Sequence, residues 1–470
     1  MKREHRYPKV KLVDKNRKDK SDALLINNIT ISFEIQQYKC DRIEINEETE
    51  EIKFELISQA ETEGLICKEC GHKVHVYGIS ETYLKDMPLS AGSKTTIRVL
   101  SHRYRCPECG ETYTESSYLR YPGTRVTWRL ADFIEQLLRA GLTIKSVSII
   151  TGVHWDTVRK IHKDFMDNDL KLRDKERREQ NYKPKYLAVD EFSIHKGHTY
   201  ATCVMDLEVG EIIWVGKGRS MSEFQKFFLE TDMKYLSEVE AVAMDMNASY
   251  NRLVEEYLPH ACIVYDRYHM QAQFGKDVLG AVRLSEARAH KEQAMALAQA
   301  ADESLSKSEK KEIKLAARAQ RKEYSQLKSA RWTLLRNSDN LTDHQAETLK
   351  EILDNHSGLA LCYAMKEEMC ELFSITDEDV ARERWTAWFE AAKASGIEPL
   401  AKFARIKEKR IEGLIAHAVH PISTGKLEGL NNKIKVAKRI GYGYRDDEYF
   451  FTLIRFMTLP PLHYSSHKFP

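Results

Sequence analysis

Tyr186-Leu-Ala-Val-Asp190, Tyr200-Ala-Thr-Cys-Val-Met-Asp206, Ile212-Ile-Trp-Val215 and Val239-Glu-Ala-Val-Ala-Met-Asp245 decide the fold. Each is short, apolar and rich in the residues that half-buried strands favour. The turn Glu208-Val-Gly210 separates the second from the third. Between the third and fourth, Ser220 and Glu223 form a capping-box pattern, and Phe224, Phe227 and Phe228 recur at helical spacing. A fifth strand, Ala261-Cys-Ile-Val-Tyr265, runs into Asp266-Arg-Tyr-His269. The order is therefore β-β-β-α-β-β. Asp190 closes the first run and Asp245 the fourth, so two buried strands would deliver carboxylates to one sheet edge. Glu191 adjoins Asp190, but consecutive strand residues point to opposite faces, so only one of the two should face that edge.

An acid on the first strand and another after the fourth resembles the RNase H-like core of transposases and integrases. That resemblance calls for a third acid. Glu428 supplies it in Thr424-Gly-Lys-Leu-Glu428-Gly-Leu-Asn-Asn-Lys-Ile-Lys435, which reads as a helix with Leu427, Leu430 and Ile434 inward. From about Cys67 onward, the content and order of motifs resemble the ISL-three family of bacterial insertion-sequence transposases. The resemblance implies Asp190, Asp245 and Glu428 as ligands of two Mg²⁺ or Mn²⁺ ions, because hard oxygen ligands suit such ions in phosphodiester cleavage and strand transfer. The D-x-x-H at Asp266 and His269 resembles a pattern found just after the second acid in related families. Asp266 is therefore a rival second ligand; strand order favours Asp245 and leaves Asp266 and His269 to orient ligands. His269 could equally be a structural histidine.

Upstream, Cys67-Lys-Glu-Cys70-Gly71 and Cys106-Pro-Glu-Cys109-Gly110 repeat one C-x-x-C-G pattern. Four thiolates in two such turns form a tetrahedral zinc site with no open position, so the spacing predicts one structural Zn²⁺. The other five of the nine cysteines are scattered singly, which argues against a disulfide framework. Thr96-Ile-Arg-Val-Leu100 and Tyr104 suggest a β-hairpin between the knuckles. Arg98, Arg103 and Arg105 would give it a basic surface; His72, His75 and His102 could be alternate ligands or nucleic-acid contacts. Next, Leu130, Phe133, Ile134, Leu137 and Leu138 mark one helix, Thr143 to Thr151 a second, and Val158, Ile161 and Phe165 a third. Two short helices around a glycine turn suggest a helix-turn-helix, which would present Trp155, Asp156, Arg159 and Lys160 to DNA. A plain three-helix bundle fits the same pattern.

These readings assemble into an α+β multidomain chain: an N-terminal basic and β segment (1–60), zinc ribbon (61–120), helix-turn-helix (121–170) and charged linker (171–185). An RNase H-like α/β core with a mixed five-stranded sheet (186–275) follows, interrupted by an all-helical insertion (276–420) and completed by C-terminal helices (421–470). Within the insertion, Arg331-Trp332 could stack on a base, although Trp332, Trp385 and Trp388 all fit a core by spacing. After Glu428, Asn431, Asn432, Lys433 and Lys435 suit phosphate contacts.

The 470 residues allow two to four domains, and 31% are charged. Net charge is only +2, so the distribution of charge matters more than the sum: basic runs occupy the first twenty residues, Arg120 to Arg129, and Lys433 to Arg439. No apolar run reaches the ~18 residues of a membrane span. The expectation is an unprocessed cytoplasmic protein, nucleoid-associated when bound, whose partners are double-stranded DNA at transposon ends and targets and further copies of itself, as a homodimer or larger oligomer. The competing functions are a catalytically inactive DNA-binding regulator and an RNase H-like nuclease without strand transfer.

Overall fold

A computed structural model describes residues 38–46, 48–60, 64–89, 93–195, 197, 199–300, 306–336 and 338–460. The basic tail and Ile29-Thr-Ile-Ser-Phe33, whose alternation suggests a short strand, lie outside them. The chain divides into two compact units, Met1–Lys171 and Leu172–Pro470.

In the first unit, strands β1 (Tyr38–Asn46), β2 (Glu51–Ser58), β3 (His75–Asp86), β4 (Lys94–Arg105) and β5 (Thr112–Thr114) form one sheet in the order β1-β2-β4-β3, with β5 also on β4. The boundary expected at residue 60 falls inside this sheet, because β2 pairs in parallel with β4. The physical reason is burial: Tyr38, Phe54 and Leu56 share one core with Leu84, Ile97 and Val99 of the long hairpin. Helices α1 (Trp128–Arg139), α2 (Ile144–Thr151) and α3 (Trp155–Glu179) follow. The hydroxyls of Thr127 and Thr143 accept the backbone N–H groups of Leu130 and Ser146, capping the first two helices. Gly152, at φ 65°, ends α2 in a left-handed conformation that glycine adopts without strain. Leu130, Ile134, Val147, Val153, Val158 and Ile161 form the core.

Helix α3 continues to Glu179, through most of the segment expected as a linker. Its charges are not merely solvated, since Arg173 and Arg177 both pair with the buried Glu211, at 2.7 and 2.9 Å. Helix α3 also buries His162, and burial, aided by Arg139, pushes the imidazole down to about 4. Folding thus lowers the proton affinity, and the unfolded chain binds the extra proton. The contribution is fully present above pH 6.5 and is lost as pH falls towards 4, at most about 3 kcal/mol. Thermal melts of full-length protein between pH 7 and 5 should show His162→Phe losing less stability on acidification than the parent; equal slopes would refute this.

The second unit is built on β6 (Tyr186–His195), β7 (Thr199–Asp206), β8 (Glu211–Lys217), α4 (Met221–Glu230), β9 (Ala241–Met244), α5 (Ala248–Tyr257), β10 (Cys262–Tyr265) and α6 (Arg267–Phe274). The sheet order is β10-β9-β6-β7-β8, mixed, with β6, β9 and β10 parallel and β7 antiparallel to both neighbours. A π-turn at Gly275–Leu279 leads into α7 (Gly280–Gln299), α8 (Lys307–Ser329), α9 (Arg331–Leu335), α10 (Asp343–Asn355), α11 (Ser357–Leu372), α12 (Glu378–Ala394), α13 (Glu398–Glu408) and α14 (Ile411–Val419). The chain then returns as α15 (Gly425–Ile440) and α16 (Asp447–Phe456).

The sheet is covered on both faces. Phe224, Phe227 and Phe228 of α4 and Leu253 of α5 pack on Leu187 and Val189, whereas Leu427, Leu430 and Ile434 of α15 and Phe450 of α16 pack on Ala188 and Phe192. The helical stretch has its own core, which includes the buried Trp385, Trp388, Phe389 and Phe403 and reaches the sheet at Tyr265. Gly413 of α14 lies so close to the Tyr265 ring that a Cβ would not fit.

Candidate active site and metal centre

Three aspartates lie just past the paired residues at one end of the parallel strands. Residues Tyr186 to Ala188 of β6 pair with Ala241 to Ala243 of β9, and Val264 and Tyr265 of β10 pair with Ala243 and Met244. Extending the same register past the paired residues sets Asp190 beside Asp245 and Asp245 beside Asp266. Asp190 does not end its strand as the sequence suggested: β6 runs five residues further, held by antiparallel β7, where Asp190 faces Cys203. What ends near Asp190 is the pairing with β9. Alternation puts Asp190 on the face of Ala188 and Phe192, the α15 side. Glu191 turns to the other face, where it interacts with Tyr250 and Arg219, as strand alternation predicted.

Helix α15 is fastened to this edge at two points. Asn431 Nδ2 donates to Asp190 Oδ2 at 2.8 Å. At the start of the helix, the Thr424 N–H and hydroxyl both donate to Asp266 Oδ2, at 2.9 and 2.7 Å. Asp266 also caps α6: its Oδ1 accepts the His269 N–H at 3.0 Å and lies 3.3 Å from His269 Nδ1. Burial opposes the Asp266 charge, but the donors from His269 and Thr424 outweigh it and hold the carboxyl below the usual carboxylate range. In turn Asp266 raises His269 to about 9, with Asp245 and Asp190 adding to the effect. Asp190 goes the other way: burial lifts it above the ordinary range, only partly offset by the Glu191 N–H, His269 and Asn431. Glu428 is exposed, one turn before Asn431 on α15.

Sequence reasoning missed three neighbours of Asp245. Gln273 Nε2 lies 3.5 Å from Asp245 Oδ1, and Gln273 Oε1 accepts from Lys407. Buried Lys407 also lies 3.2 Å from Met246 Sδ, and Arg410 donates to the Met246 carbonyl. Burial lowers the Lys407 pKa, against the pull of Asp245. Lys407 and Arg410 come from the helical stretch more than 160 positions from Asp245, and no local pattern marks them.

In the first unit the four motif cysteines converge. Their sulfurs all lie within 4.8 Å of one another; among the described residues no other set of acid, histidine or cysteine ligand atoms forms such a cluster. Cys67 to Cys109, Cys70 to Cys106 and Cys70 to Cys109 are 3.6, 3.5 and 3.5 Å apart. A tetrahedral ion with Zn–S bonds of about 2.3 Å needs edges of roughly 3.8 Å. Both turns have the same build: Gly71 donates to the Cys67 carbonyl and Gly110 to that of Cys106, each at 3.0 Å, with φ of 72° and 73°. Backbone N–H groups, that of Cys109 foremost, lower the Cys106 thiol to about 7, whereas at Cys70 and Cys109 such groups are outweighed by burial and the neighbouring thiols, which raise both. The histidines stay out of the cluster, and His102 pairs with Glu115 at 3.3 Å.

The structure narrows the residues expected to meet DNA. Arg103 and Arg105 are exposed, whereas Arg98 is engaged by Glu55 and Glu81, both at 2.6 Å. Trp155 and Asp156 are exposed at the start of α3, and the Arg159 guanidinium lies 6.0 Å from the Trp155 ring. Lys160 is tied to Asp164 at 2.5 Å. Trp332 is 68% exposed with Arg331 over its ring at 5.1 Å, while Trp385 and Trp388 are core. Asn432, Lys433 and Lys435 are exposed on α15, but Asn431 is committed to Asp190.

Comparison with known proteins gives the class. Residues 187–454 match the family described as Transposase, and residues 122–165 match the helix-turn-helix domain of transposase family ISL3. The chain is 33% identical over 392 residues to the transposase for insertion sequence element IS1001 of Bordetella parapertussis, covering 83% of this chain and 88% of that protein. It is 25% identical over 391 residues to the transposase for insertion sequence element IS1557 of Mycobacterium tuberculosis, covering 82% and 84%. The second unit thus carries a transposase domain and the first a DNA-binding helix-turn-helix. This chain belongs to the ISL3 family of transposases. Among the described residues, no helix is long and apolar enough to cross a membrane.

Proposed function

We propose that this transposase binds the ends of its insertion sequence and cuts and joins DNA with two Mg²⁺ or Mn²⁺ ions held by Asp190, Asp245 and Glu428. The observation that supports this reading is the register of β6 and β9, which, extended two residues past its last pair, would bring Asp190 beside Asp245, while Asn431 ties the Glu428 helix to Asp190. The sheet order supports an RNase H-like core, and the run of helices from α7 to α14 an insertion within it.

The residues present fit divalent cations. Hard carboxylate oxygens are the right donors; Asp190 carries a burial cost that a cation would offset; and Asn431 Oδ1 is buried without a hydrogen-bond partner, an acceptor that a hydrated ion could meet. When bound, such ions stabilise both the attacking and the leaving oxygen of the phosphodiester and activate water. Asn431 orients Asp190, and Gln273 with Lys407 fixes the surroundings of Asp245. The two oxygens of Asp266 are already engaged by Thr424 and His269, which supports a positioning role and favours Asp245 as the second ligand. Exposed Asn432, Lys433 and Lys435 would hold phosphates beside Glu428. In the first unit, the cysteine cluster would hold one structural Zn²⁺, with Arg103, Arg105 and the exposed start of α3 reading the element's ends. Joining two ends calls for a homodimer or larger oligomer, acting on the cytoplasmic nucleoid.

A supercoiled-plasmid assay with Mg²⁺ and DNA carrying the element's ends tests this reading: joined products are expected, nicks alone would make the protein a nuclease, and no product a regulator. For end recognition, Arg159→Ala should cost about 1–3 kcal/mol of specific binding if it contacts a base edge, or flatten the salt dependence if it contacts phosphate. Lys160→Ala should act in the same direction. Titrations at several salt concentrations check both; unchanged affinity for Arg159→Ala would place recognition elsewhere.

A further inference from the structure

The turn after α15 holds a tyrosine where the fold has no use for one. Tyr442 is 99% exposed and sits at φ 51°, a left-handed conformation that a bulky residue adopts only at a cost. The flanking residues, Gly441 and Gly443, would take that conformation freely. The turn is firmly built. Gly441 donates to the Ala437 carbonyl, Tyr442 to Arg439 and Gly443 to Lys438, at 2.9, 3.2 and 2.8 Å. Lys438 Nζ donates to the Ser193 carbonyl at 2.9 Å, and the Tyr444 ring stacks on Phe450 with centroids 4.6 Å apart. Tyr444 is thus pinned inward and Tyr442 displayed outward.

The surroundings say what the ring meets. Glu428, Asn432, Lys435 and Arg439 are all exposed and follow one another at i, i+4, i+7 and i+11 along one face of α15, opposite buried Leu427, Leu430 and Ile434. Arg445, also exposed, lies three residues past the tyrosine. The nearby acids are occupied: Asp446 caps α16 through the Tyr449 N–H, and Asp447 pairs with Lys217 at 2.6 Å and His195 at 3.0 Å. A basic, polar track therefore leads from the proposed cleavage edge to the exposed ring. From Glu428 to the end of the helix is about 18 Å at 1.5 Å per residue, or roughly five nucleotide steps of 3.4 Å.

We propose that Tyr442 is a stacking platform for an unpaired, flipped-out DNA base about five nucleotides from the scissile phosphate, with α15 tracking the strand between them. This rests on Glu428 marking the cleavage point. The strained conformation is kept because it holds the ring away from the protein, ready for a base.

The test uses full-length protein and DNA carrying the end sequence of its own element, single-stranded beyond the cleavage site, with 2-aminopurine at the cleavage site and at successive positions beyond it. Tyr442→Ala should bind about 5- to 100-fold more weakly, as loss of one base–aromatic stack implies. It should also lose fluorescence quenching at one or two positions near the fifth step. Tyr442→Phe should keep both. Tyr442→Gly should melt at a higher temperature than the parent and still bind as weakly as Tyr442→Ala, a combination that a structural role would not give. Parent-like binding and quenching in Tyr442→Ala would overturn the proposal, as would a change in oligomeric state with DNA affinity intact, which would make the ring a contact between copies. Glu428→Gln is assayed in parallel. Normal cleavage by that variant would sink the metal-site reading, whereas a silent Tyr442→Ala beside an inactive Glu428→Gln would sink the stacking proposal alone.

Discussion

Asp190→Asn, Asp245→Asn and Glu428→Gln are each expected to keep the fold and end binding while losing cleavage and strand transfer by on the order of 10³-fold or more, the loss of several kcal/mol of metal-held stabilisation. Stability separates these acids from their neighbour. Glu428 is exposed, so removing its charge should leave the melting temperature unchanged; Asp190→Asn relieves a burial cost but keeps only one of the two acceptors used by the Glu191 N–H and Asn431, so its melting temperature should change little. Asp266→Asn should lower it: the amide replaces an acceptor shared by the Thr424 N–H, the Thr424 hydroxyl and the His269 N–H, a cost of about 1–3 kcal/mol for a buried network left partly unsatisfied. Its activity should fall because α15 loses its anchor, and Thr424→Val should reproduce both effects. Activity assays paired with thermal melts check this. A dead but fully stable Asp266→Asn beside an active Asp245→Asn would exchange their roles.

Removal of zinc is the second large effect. Full-length protein is expected to contain one Zn²⁺ per chain, and Cys106→Ser to contain almost none. Four sulfurs within 4.8 Å of one another, three pairs of them at 3.5–3.6 Å, would otherwise be left with little else to hold the knuckles together: the cluster core around them is Cys67, Val74, Tyr104 and Cys106, with Leu65 and Tyr113 against it. Structural zinc contributes about 10–16 kcal/mol to the folding of small zinc-dependent peptides, so the region around residues 64–114 should become protease-sensitive. The helices after residue 121 and the second unit have their own cores and should survive as a fragment starting beyond residue 114. Metal analysis and limited proteolysis decide it. A zinc-free parent, or a Cys106→Ser chain that digests like the parent, would contradict the assignment.

Local patterns carried the sequence reading furthest. The C-x-x-C-G repeats, the Thr143 cap with Gly152, and the alternating apolar runs of the sheet each write their geometry into a few adjacent residues. Asp190 was placed at a strand end because polar Asp190 and Glu191 break the apolar run; β6 continues because β7 pairs with it beyond the point where β9 stops. The charged segment after residue 170 looked like a linker, but the partner that makes it an ordered helix, Glu211, lies more than 30 positions away. Distance in sequence likewise hid Thr424 on Asp266, Asn431 on Asp190, and Lys407 near Asp245. Each joins residues more than 150 positions apart, and Asn431, read as a phosphate contact, donates to Asp190.

On the proposed reading, Asp190, Asp245 and Glu428 surround the same divalent ions. Zinc-loaded full-length protein with Fe²⁺ in place of Mg²⁺, bound to end DNA and exposed to ascorbate and peroxide, would be cut by hydroxyl radicals wherever the backbone lies close to the metal. Cuts near residues 190, 245 and 428, all suppressed by competing Mg²⁺, are the predicted result. Cuts near 190 and 266 that leave the neighbourhood of 428 intact would contradict it.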